Sequence, residues 1–526
     1  MKPAARKHAA LPTDASAPAR SRSEALAPLL TFLIITVVYA ATLFSLWPNL
    51  PIIERMAEDI PGFERIYPPF RVDENVYYDI SRHILDGTLY RAPEASERGF
   101  PIGFPIAAAP FVAALGKMGG YVANLMIILA SLAVFHLILR RYGFRWRAVI
   151  LTLIMAFASL DWFYAVSNYS EPLSQLLVLL SFGLLVRDRD ARGANLAAVF
   201  SGVFTALNLF VRPHYLLLTA PFLIGLVFER GAKPSINRRA LLYSAGAAAA
   251  LLVWAVRNQI VFGSPFTFEY SRLVGSFTPG MTGPFLKGNI FLGIHQLLFD
   301  QYHGLFTITP VFLLFPAGLR AMWLRGLKTD SLVLLGAVTI AALFVASGPY
   351  PFTEFGLGSR HMVPVTPLML LPAAFFLDGR FFSGSVVTVV ALYTFYQAGI
   401  GWFTGGEPGM GFFLGILNEA QSRAIVLARK GLIPRKHFHS QKELVDSYMR
   451  SLKKADLMGL LTTMDPAVIE KIRGHERDFM IFLRNQPDPK AAVLSADPDR
   501  GIVIRSFSVS EGFSGQTAPP DSTPSP

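Results

Sequence analysis

Two adjacent acidic residues, Asp73 and Glu74, follow the first long apolar segment of the chain. Acids this close to a membrane are costly to place, so they are functional candidates by default. A carboxylate can accept the proton of an attacking hydroxyl group. Asp73 and Glu74 are therefore the candidate catalytic residues. The alternative is that Asp73 caps a helix, because acidic side chains favour the N-terminal end of a helix.

Composition places the chain among all-α polytopic membrane proteins. Of its 526 residues, 52% are hydrophobic and only 16% are charged, against about 25% in an average soluble domain. The absence of cysteine excludes disulfides, thiolate metal sites and cysteine nucleophiles. The net charge of +12 does not indicate a nucleic-acid partner, because much of the Lys and Arg lies in short loops between apolar segments, where positive charge sets topology.

The N-terminal part predicts a retained first helix. Residues 1–26 are basic and rich in Ala, Pro and Ser, which indicates a disordered cytoplasmic segment. The apolar run Ala27–Leu46 has roughly 20 residues, long enough to span a membrane. Trp47, Pro48 and Asn49 follow it, whereas a cleaved signal peptide ends in small residues.

The next apolar segment has two readings. It ends at Leu115, within the predicted first external loop, residues 48–118. It contains prolines and has only about a dozen residues, which is too short to span a membrane comfortably. If it spans, Arg140 and Arg141 fall outside. If it lies in the membrane interface, they are cytoplasmic, together with Arg145 and Arg147. The positive-inside rule favours the interfacial helix.

Length and loop charge then predict about eleven spans within residues 27–404. Residues 405–507 are expected to form an external soluble helical region, and residues 508–526 a disordered tail. The span interiors are expected to be largely free of ionisable residues. The predicted spans are Ala27–Leu46, Tyr121–Leu139, Ala148–Val166, Pro172–Val186, Ala194–Val211, Tyr215–Phe228, Leu241–Val256, Leu305–Trp323, Ser331–Ala346, Met362–Leu377 and Val386–Phe403.

This topology places several polar residues at external turns, where they are candidates for binding a phosphate or substrate. Arginine suits a phosphate because its planar fork binds two oxygens and stays charged. Simpler readings are an aromatic belt, a solvated ion pair, snorkelling arginines or a helix start. The histidines are not at metal-ligand spacing, so no metal site is predicted. The candidate binding residues are Tyr77, Glu97, Arg98, Glu171, Arg212, Arg360 and His361.

Acids near arginines on one leaflet suggest sugar transfer from a lipid-linked phosphate, with the lipid bilayer holding the donor. No glycine-rich nucleotide loop or Walker-type motif occurs, which argues against a nucleotide donor or ATP-driven transport. Two alternatives remain open. A transporter or flippase for lipid-linked sugars would place polar groups at mid-depth on broken helices. A non-catalytic envelope-assembly protein would need the helices only for packing.

The motifs resemble one family of membrane enzymes. Residues 73–77 have the form Asp-Glu-x-x-Tyr, residues 97–101 read Glu-Arg-Gly-Phe-Pro, and residues 358–364 read Gly-Ser-Arg-His-Met-Val-Pro. In this order they resemble the GT-C superfamily of membrane glycosyltransferases. The resemblance is closest to bacterial protein-mannosyltransferase-like and aminoarabinose-transferase-like members, and it covers residues 27–404.

The resemblance implies a GT-C-like bundle of transmembrane helices whose large first external loop carries interfacial helices. It implies an inverting transfer from a polyprenyl-phosphate-linked sugar, at the external face of the bacterial inner membrane, with the first-loop acid as base. The acceptor, a glycan, lipid or protein, stays open. No cofactor is required by this chemistry, and the assistance of a divalent cation is left open.

Overall fold

The described part of the chain is mainly helical, as expected of apolar segments whose backbone polar groups must be satisfied internally. The computed structural model describes residues 22–46, 72–89, 100–186, 193–228, 234, 236–267, 290–299, 304–347, 359–377, 439–453, 460–461, 463–471, 493–498 and 501–504. The α-helices are α1 (Arg22–Leu46), α2 (Val72–Leu85), α3 (Gly103–Leu115), α4 (Met118–Arg141), α5 (Trp146–Phe157), α6 (Asp161–Ala165), α7 (Glu171–Leu185), α8 (Ala194–Leu207), α9 (Thr219–Val227), α10 (Arg238–Phe262), α11 (Ile290–Phe299), α12 (Leu305–Ile308), α13 (Phe315–Leu324), α14 (Lys328–Ala346), α15 (Thr366–Leu370), α16 (Ala373–Phe376), α17 (Gln441–Lys453) and α18 (Pro466–Lys471).

Four helices in the described residues are long and apolar enough to cross a membrane: Leu26–Phe44 within α1, and α4, α10 and α14. The other predicted spans are shorter or interrupted helices, and Val386–Phe403 lies outside the described residues. The count of eleven therefore stays a prediction. The segment predicted to be interfacial forms α3, which has 13 residues and is about 20 Å long at 1.5 Å per residue.

Several predicted spans change to 3-10 geometry near one end, which sequence periodicity did not predict. The 3-10 helices are Asn208–Phe210, Pro213–Leu218, Pro310–Leu314 and Arg360–Val365. Proline explains two of them directly, because Pro213 and Pro310 start a helix but cannot continue the preceding one. The interruption between α5 and α6 contains no proline. The polar turns that follow α8 and precede α15 thus interrupt the helical backbone.

The C-terminal region differs from the all-helical expectation. Val493–Asp497 and Gly501–Ile504 form β1 and β2, an antiparallel pair. The β-branched residues of β2 favour an extended strand, and Pro498 stops β1. In the described part of this region, α17 and α18 pack against the hairpin.

At one end of the bundle, arginines satisfy carbonyls of helix C-terminal turns. Arg239 Nη2 donates to the Leu185 carbonyl at 3.1 Å, and Arg325 Nη2 donates to the Phe375 carbonyl at 3.0 Å. Arg141 donates to a carbonyl in the last turns of α7. Terminal carbonyls lack helical partners, and cations are favourable at helix C-termini. Arg141, Arg239 and Arg325 therefore lie at the same end of the bundle as these helix termini, which we call the basic end.

Helices α8 and α10 approach each other closely through small residues. A Cβ at Gly202 would lie 2.0 Å from the Tyr243 carbonyl oxygen, and one at Gly246 would lie 2.1 Å from the Val199 carbonyl oxygen. Small residues permit such backbone contact in membrane helix pairs. The same two helices are also joined by a hydrogen bond, which the Tyr243 hydroxyl donates to Thr205 Oγ1 at 3.1 Å.

Replacing Gly202 with alanine should destabilise the protein despite the better helix propensity of alanine. The added Cβ meets a backbone oxygen, so the helices must separate, and such overpacking costs about 1–3 kcal/mol, more than the helix gain of about 1 kcal/mol. Thermal unfolding of the detergent-purified protein should show a lower Tm. Leu196→Ala on the exposed face of the same helix is the control and should change Tm little. An unchanged Tm for Gly202→Ala would contradict the packing described.

Candidate functional site

The turn between α6 and α7 is held by side-chain hydrogen bonds from α4. Asn124 Nδ2 donates to the Ser167 and Tyr169 carbonyls at 2.7 and 2.8 Å. A Cβ at Gly120 would lie 2.1 Å from Asn168 Oδ1. Since Gly120 and Arg141 are separated along α4 by about 30 Å of helical rise, this turn lies at the end of the bundle opposite the basic end.

A buried ion cluster is built on this turn. Glu171, the first residue of α7, forms an ion pair with Arg212, and Arg360 Nε lies 3.6 Å from Glu171 Oε1. Arg212 Nε also donates to Ser170 Oγ at 3.0 Å. All three charged side chains are buried. The cluster thus connects three segments that are far apart in the sequence.

The positions of the two arginines follow from local backbone geometry. Arg212 lies between the 3-10 helices Asn208–Phe210 and Pro213–Leu218, and Arg360 begins the 3-10 helix Arg360–Val365. The Arg360 guanidinium carbon lies 5.2 Å from the centroid of the Tyr169 ring, a distance at which a cation–π contact is favourable. Both guanidinium groups are therefore fixed in orientation by neighbours as well as by Glu171.

Helix α2 of the first loop docks on the same turn. The Tyr77 hydroxyl and Ser170 Oγ are 2.9 Å apart and share a hydrogen bond. The Tyr77 ring makes edge contacts with Phe100 and Phe104 at centroid distances of 5.4 and 5.5 Å. Tyr77 is fully buried. Through Ser170, which also contacts Arg212, α2 is joined to the ion cluster.

Glu74 is also engaged with the turn. Its Oε1 accepts a hydrogen bond from the Asn168 backbone N–H at 2.8 Å, and its carbonyl accepts one from Asn168 Nδ2 at 2.7 Å. Glu74 is 2% exposed. These contacts give Glu74 the role of an anchor for α2. Asp73 precedes it in α2, and its side chain lies outside the described residues.

Two histidines border the cluster. His361 Nδ1 lies 3.4 Å from Arg212 Nη1, and since a guanidinium only donates, this nitrogen accepts and the ring hydrogen belongs on Nε2. The His214 ring stacks on Phe344 with a 5° interplanar angle and lies 6.1 Å from the His361 ring. Burial, with added repulsion from Arg212 and Arg360, holds the pKa of His361 well below its usual value. Burial and the Arg212 charge lower the pKa of His214 to about 3.

The structure brings together many of the predicted site residues. Tyr77, Glu171, Arg212, Arg360 and His361, with Ser170, form one connected group, which we call the polar cluster. Glu74 joins it through Asn168, which lies two residues before Ser170 along the chain. Glu97 and Arg98 lie outside the described residues.

Sequence reasoning did not select Asn124, Asn168 or Ser170 as site residues. Asn168 and Ser170 lie in a turn whose polarity was visible, but short polar residues in turns are common and carry no specific signal. Asn124 lies in an apolar helix, where a polar side chain could have been read as marking an interhelical contact. Among the described residues, no group of three or more His, Cys, Asp or Glu side chains could hold a metal ion.

Acidification should destabilise the protein through His214 and His361. Their pKa values are lowered in the folded state, so the unfolded chain takes up protons first, near the usual histidine value of about 6.5. Stability is then complete above this pH and falls below it. The Tm should drop between about pH 7.5 and about pH 5.5, and His214→Phe with His361→Asn should reduce that drop. The control is His439→Asn, at an exposed position; an equal drop in all variants would contradict this account.

The polar cluster therefore combines the anchored helix α2, a buried carboxylate, two oriented guanidinium groups and the His361 imidazole at one end of a helical bundle, with the His214 ring beside it. Such a group can bind an anion and can support proton transfer at a nearby hydroxyl. A scan of protein-family models gave no match to this chain, and neither did a search of the curated proteins.

Proposed function

We propose that this protein is a glycosyltransferase that moves a sugar from a polyprenyl-phosphate donor to an acceptor hydroxyl at the external face of the bacterial inner membrane. The observation that supports it most is the joining of Arg212, Arg360 and Glu171 to Tyr77 of α2 through Ser170. Tyr77 follows Asp73 by four residues, so both positions share one face of α2. Candidate phosphate ligands and a candidate base thus belong to one site.

In the proposed reaction Asp73 accepts the proton of the acceptor hydroxyl as its oxygen attacks the anomeric carbon. The bond to the polyprenyl phosphate breaks on the opposite face, so the configuration inverts. Arg212 and Arg360 stabilise the phosphate that leaves, since guanidinium groups fixed in advance cost no reorganisation during reaction. Glu74, whose carboxylate already accepts the Asn168 N–H, positions α2. Glu97 and Arg98 remain sequence predictions for donor binding.

Asp73→Asn should reduce transfer by about a hundredfold or more, since a positioned general base contributes about 10²–10⁴-fold. The assay follows labelled sugar passing from polyprenyl-phosphate donors into lipid, glycan and protein fractions of membranes that contain the protein. Mass spectrometry of envelope glycans and lipids from cells with and without it identifies the acceptor. The matched control is Asp79→Asn, the same chemical change at an exposed position of the same helix. Full transfer by Asp73→Asn would end the assignment of the base.

Arg212→Lys should weaken donor use while leaving a positive charge in place. Lysine cannot reproduce the planar fork that contacts Ser170 and Glu171 together. The expected result is a raised KM for the lipid-phosphate donor at an unchanged KM for acceptor. Leu196→Ala serves as a packing control, because Leu196 is an exposed residue of α8 that is not part of the polar cluster. Equal donor kinetics in Arg212→Lys and the wild type would exclude the guanidinium from phosphate recognition.

A second candidate is a transporter or flippase for the same lipid-linked sugar. It is favoured by the interrupted helices at Arg212 and Arg360, because discontinuous helices frequently form substrate sites in transporters. Reconstitution into proteoliposomes distinguishes the two functions. Donor flipping without any glycosylated product supports the transporter. Product formation that depends on Asp73 supports the enzyme. If mutations in the polar cluster abolish neither donor flipping nor product formation, a non-catalytic assembly role is supported.

A further inference from the structure

A second buried carboxyl group lies deeper in the bundle and is not used by the proposed reaction. Asp161 is the first residue of α6, is 0% exposed, and belongs to the interior of a predicted span, where sequence analysis expected few ionisable residues. Its backbone N–H lies 3.2 Å from Ser159 Oγ. Its side chain faces Gln175 on α7, one helical turn beyond Glu171.

The contacts of Asp161 leave acceptors without donors. Gln175 Nε2 donates to Asp161 Oδ2 at 3.0 Å. Asp161 Oδ1 and Gln175 Oε1 are both buried, and neither has a hydrogen-bond partner among the residues that the structure describes. A buried acceptor left unpaired costs about 1–3 kcal/mol. Asp161 Oδ1 and Gln175 Oε1 are both acceptors, and their side chains are already joined by one hydrogen bond. A further hydrogen-bond donor is needed to satisfy them.

Ion pairing does not supply that donor within the described part of the bundle. The ion pairs of Glu171 with Arg212 and Arg360 do not include Asp161. From α1 the titratable neighbour of Asp161 is Tyr39, whose hydroxyl donates to the Ala156 carbonyl.

The helices α4, α5 and α7 also pack against α6. Their cationic and histidine side chains lie in the first turn of α5 or the last two turns of α4, at the basic end, and the acidic group of α7 is Glu171. The titratable side chains described on these helices are Tyr121, His136, Arg140, Arg141, Arg147 and Glu171.

We infer that Asp161 is a proton-binding site that carries its proton at neutral pH. One proton from solvent adds to Oδ1, and the resulting O–H donates to Gln175 Oε1 while Gln175 Nε2 donates to Asp161 Oδ2. This acid–amide pair satisfies both acceptors and avoids an ionised carboxylate in the bundle interior, which is far more costly than a neutral, hydrogen-bonded acid. The acid–amide pair then includes Gln175, which lies one turn along α7 from the arginine-paired Glu171. The inference does not depend on the proposed transfer reaction.

Infrared spectroscopy of the full-length protein in uncharged nanodiscs at neutral pH tests the inference. The difference between wild type and Asp161→Asn should contain the carbonyl stretch of one protonated carboxylic acid, shifted in D2O. In Gln175→Leu the band should persist at higher frequency, because the carbonyl loses its donor. The matched control is Asp330→Asn, at a carboxylate that accepts from the Tyr142 hydroxyl at 3.0 Å; this change should leave the band unaltered.

Carboxylate bands in place of the acid band would overturn the inference. So would a carboxylate spectrum with a Tm that rises selectively with Na⁺, since the occupant would then be a metal cation. If Asp161→Asn is not recovered folded, ¹³C labelling of aspartate carboxyl groups in the wild type identifies the band instead. A protonated-acid band that does not move on labelling would also overturn it.

Discussion

The ion cluster of Glu171, Arg212 and Arg360 is the constraint on which the rest of the described bundle depends. The Glu171 carboxylate contacts the guanidinium groups of both Arg212 and Arg360. The two turns that carry these arginines must therefore lie next to the start of α7. Removing one member of a buried ionic group leaves a charge uncompensated, and such a loss costs about 3–5 kcal/mol. Replacing a whole buried ionic group with well-packed apolar residues is often neutral or stabilising, so the intact cluster is weak evidence for stability.

Helix α2 is held by contacts with the turn that carries this cluster. Tyr77 and Glu74 are both buried and both bond to the turn at residues 168–170, while Asp79 on the same helix is exposed. Amphipathic helices that merely lie on a membrane face their apolar side to lipid. Helix α2 instead presents the Glu74 carboxylate and the Tyr77 hydroxyl to the protein, and these two contacts fix its rotation.

Much of this arrangement could be predicted from charge and length alone. The placement of Arg212, Glu171 and Arg360 at one end of the bundle was predicted from loop charge, because lysine and arginine bias is a strong topological signal. The 3-10 interruptions and the pairing of Val493–Asp497 with Gly501–Ile504 could not, since local backbone geometry depends on tertiary contacts that one sequence does not show. Asp161 was missed for a different reason: a single acid in an apolar run leaves a hydropathy average almost unchanged.

The arginines at the basic end combine two properties that are usually treated separately. Arg239 and Arg325 belong to the charge pattern that predicts which loops stay in the cytoplasm, and each also closes the C-terminal turn of a neighbouring helix. The same two side chains therefore carry both the predicted orientation signal and a hydrogen bond that closes a helix end. Mutations that move these charges to test the topology would also remove the hydrogen bonds that close the helix ends. Reporter fusions at this side would then not distinguish misfolding from an inverted orientation of the helices. Replacing these arginines with lysine would separate the two effects, because lysine keeps the positive charge but lacks the planar guanidinium group that donates to those carbonyls.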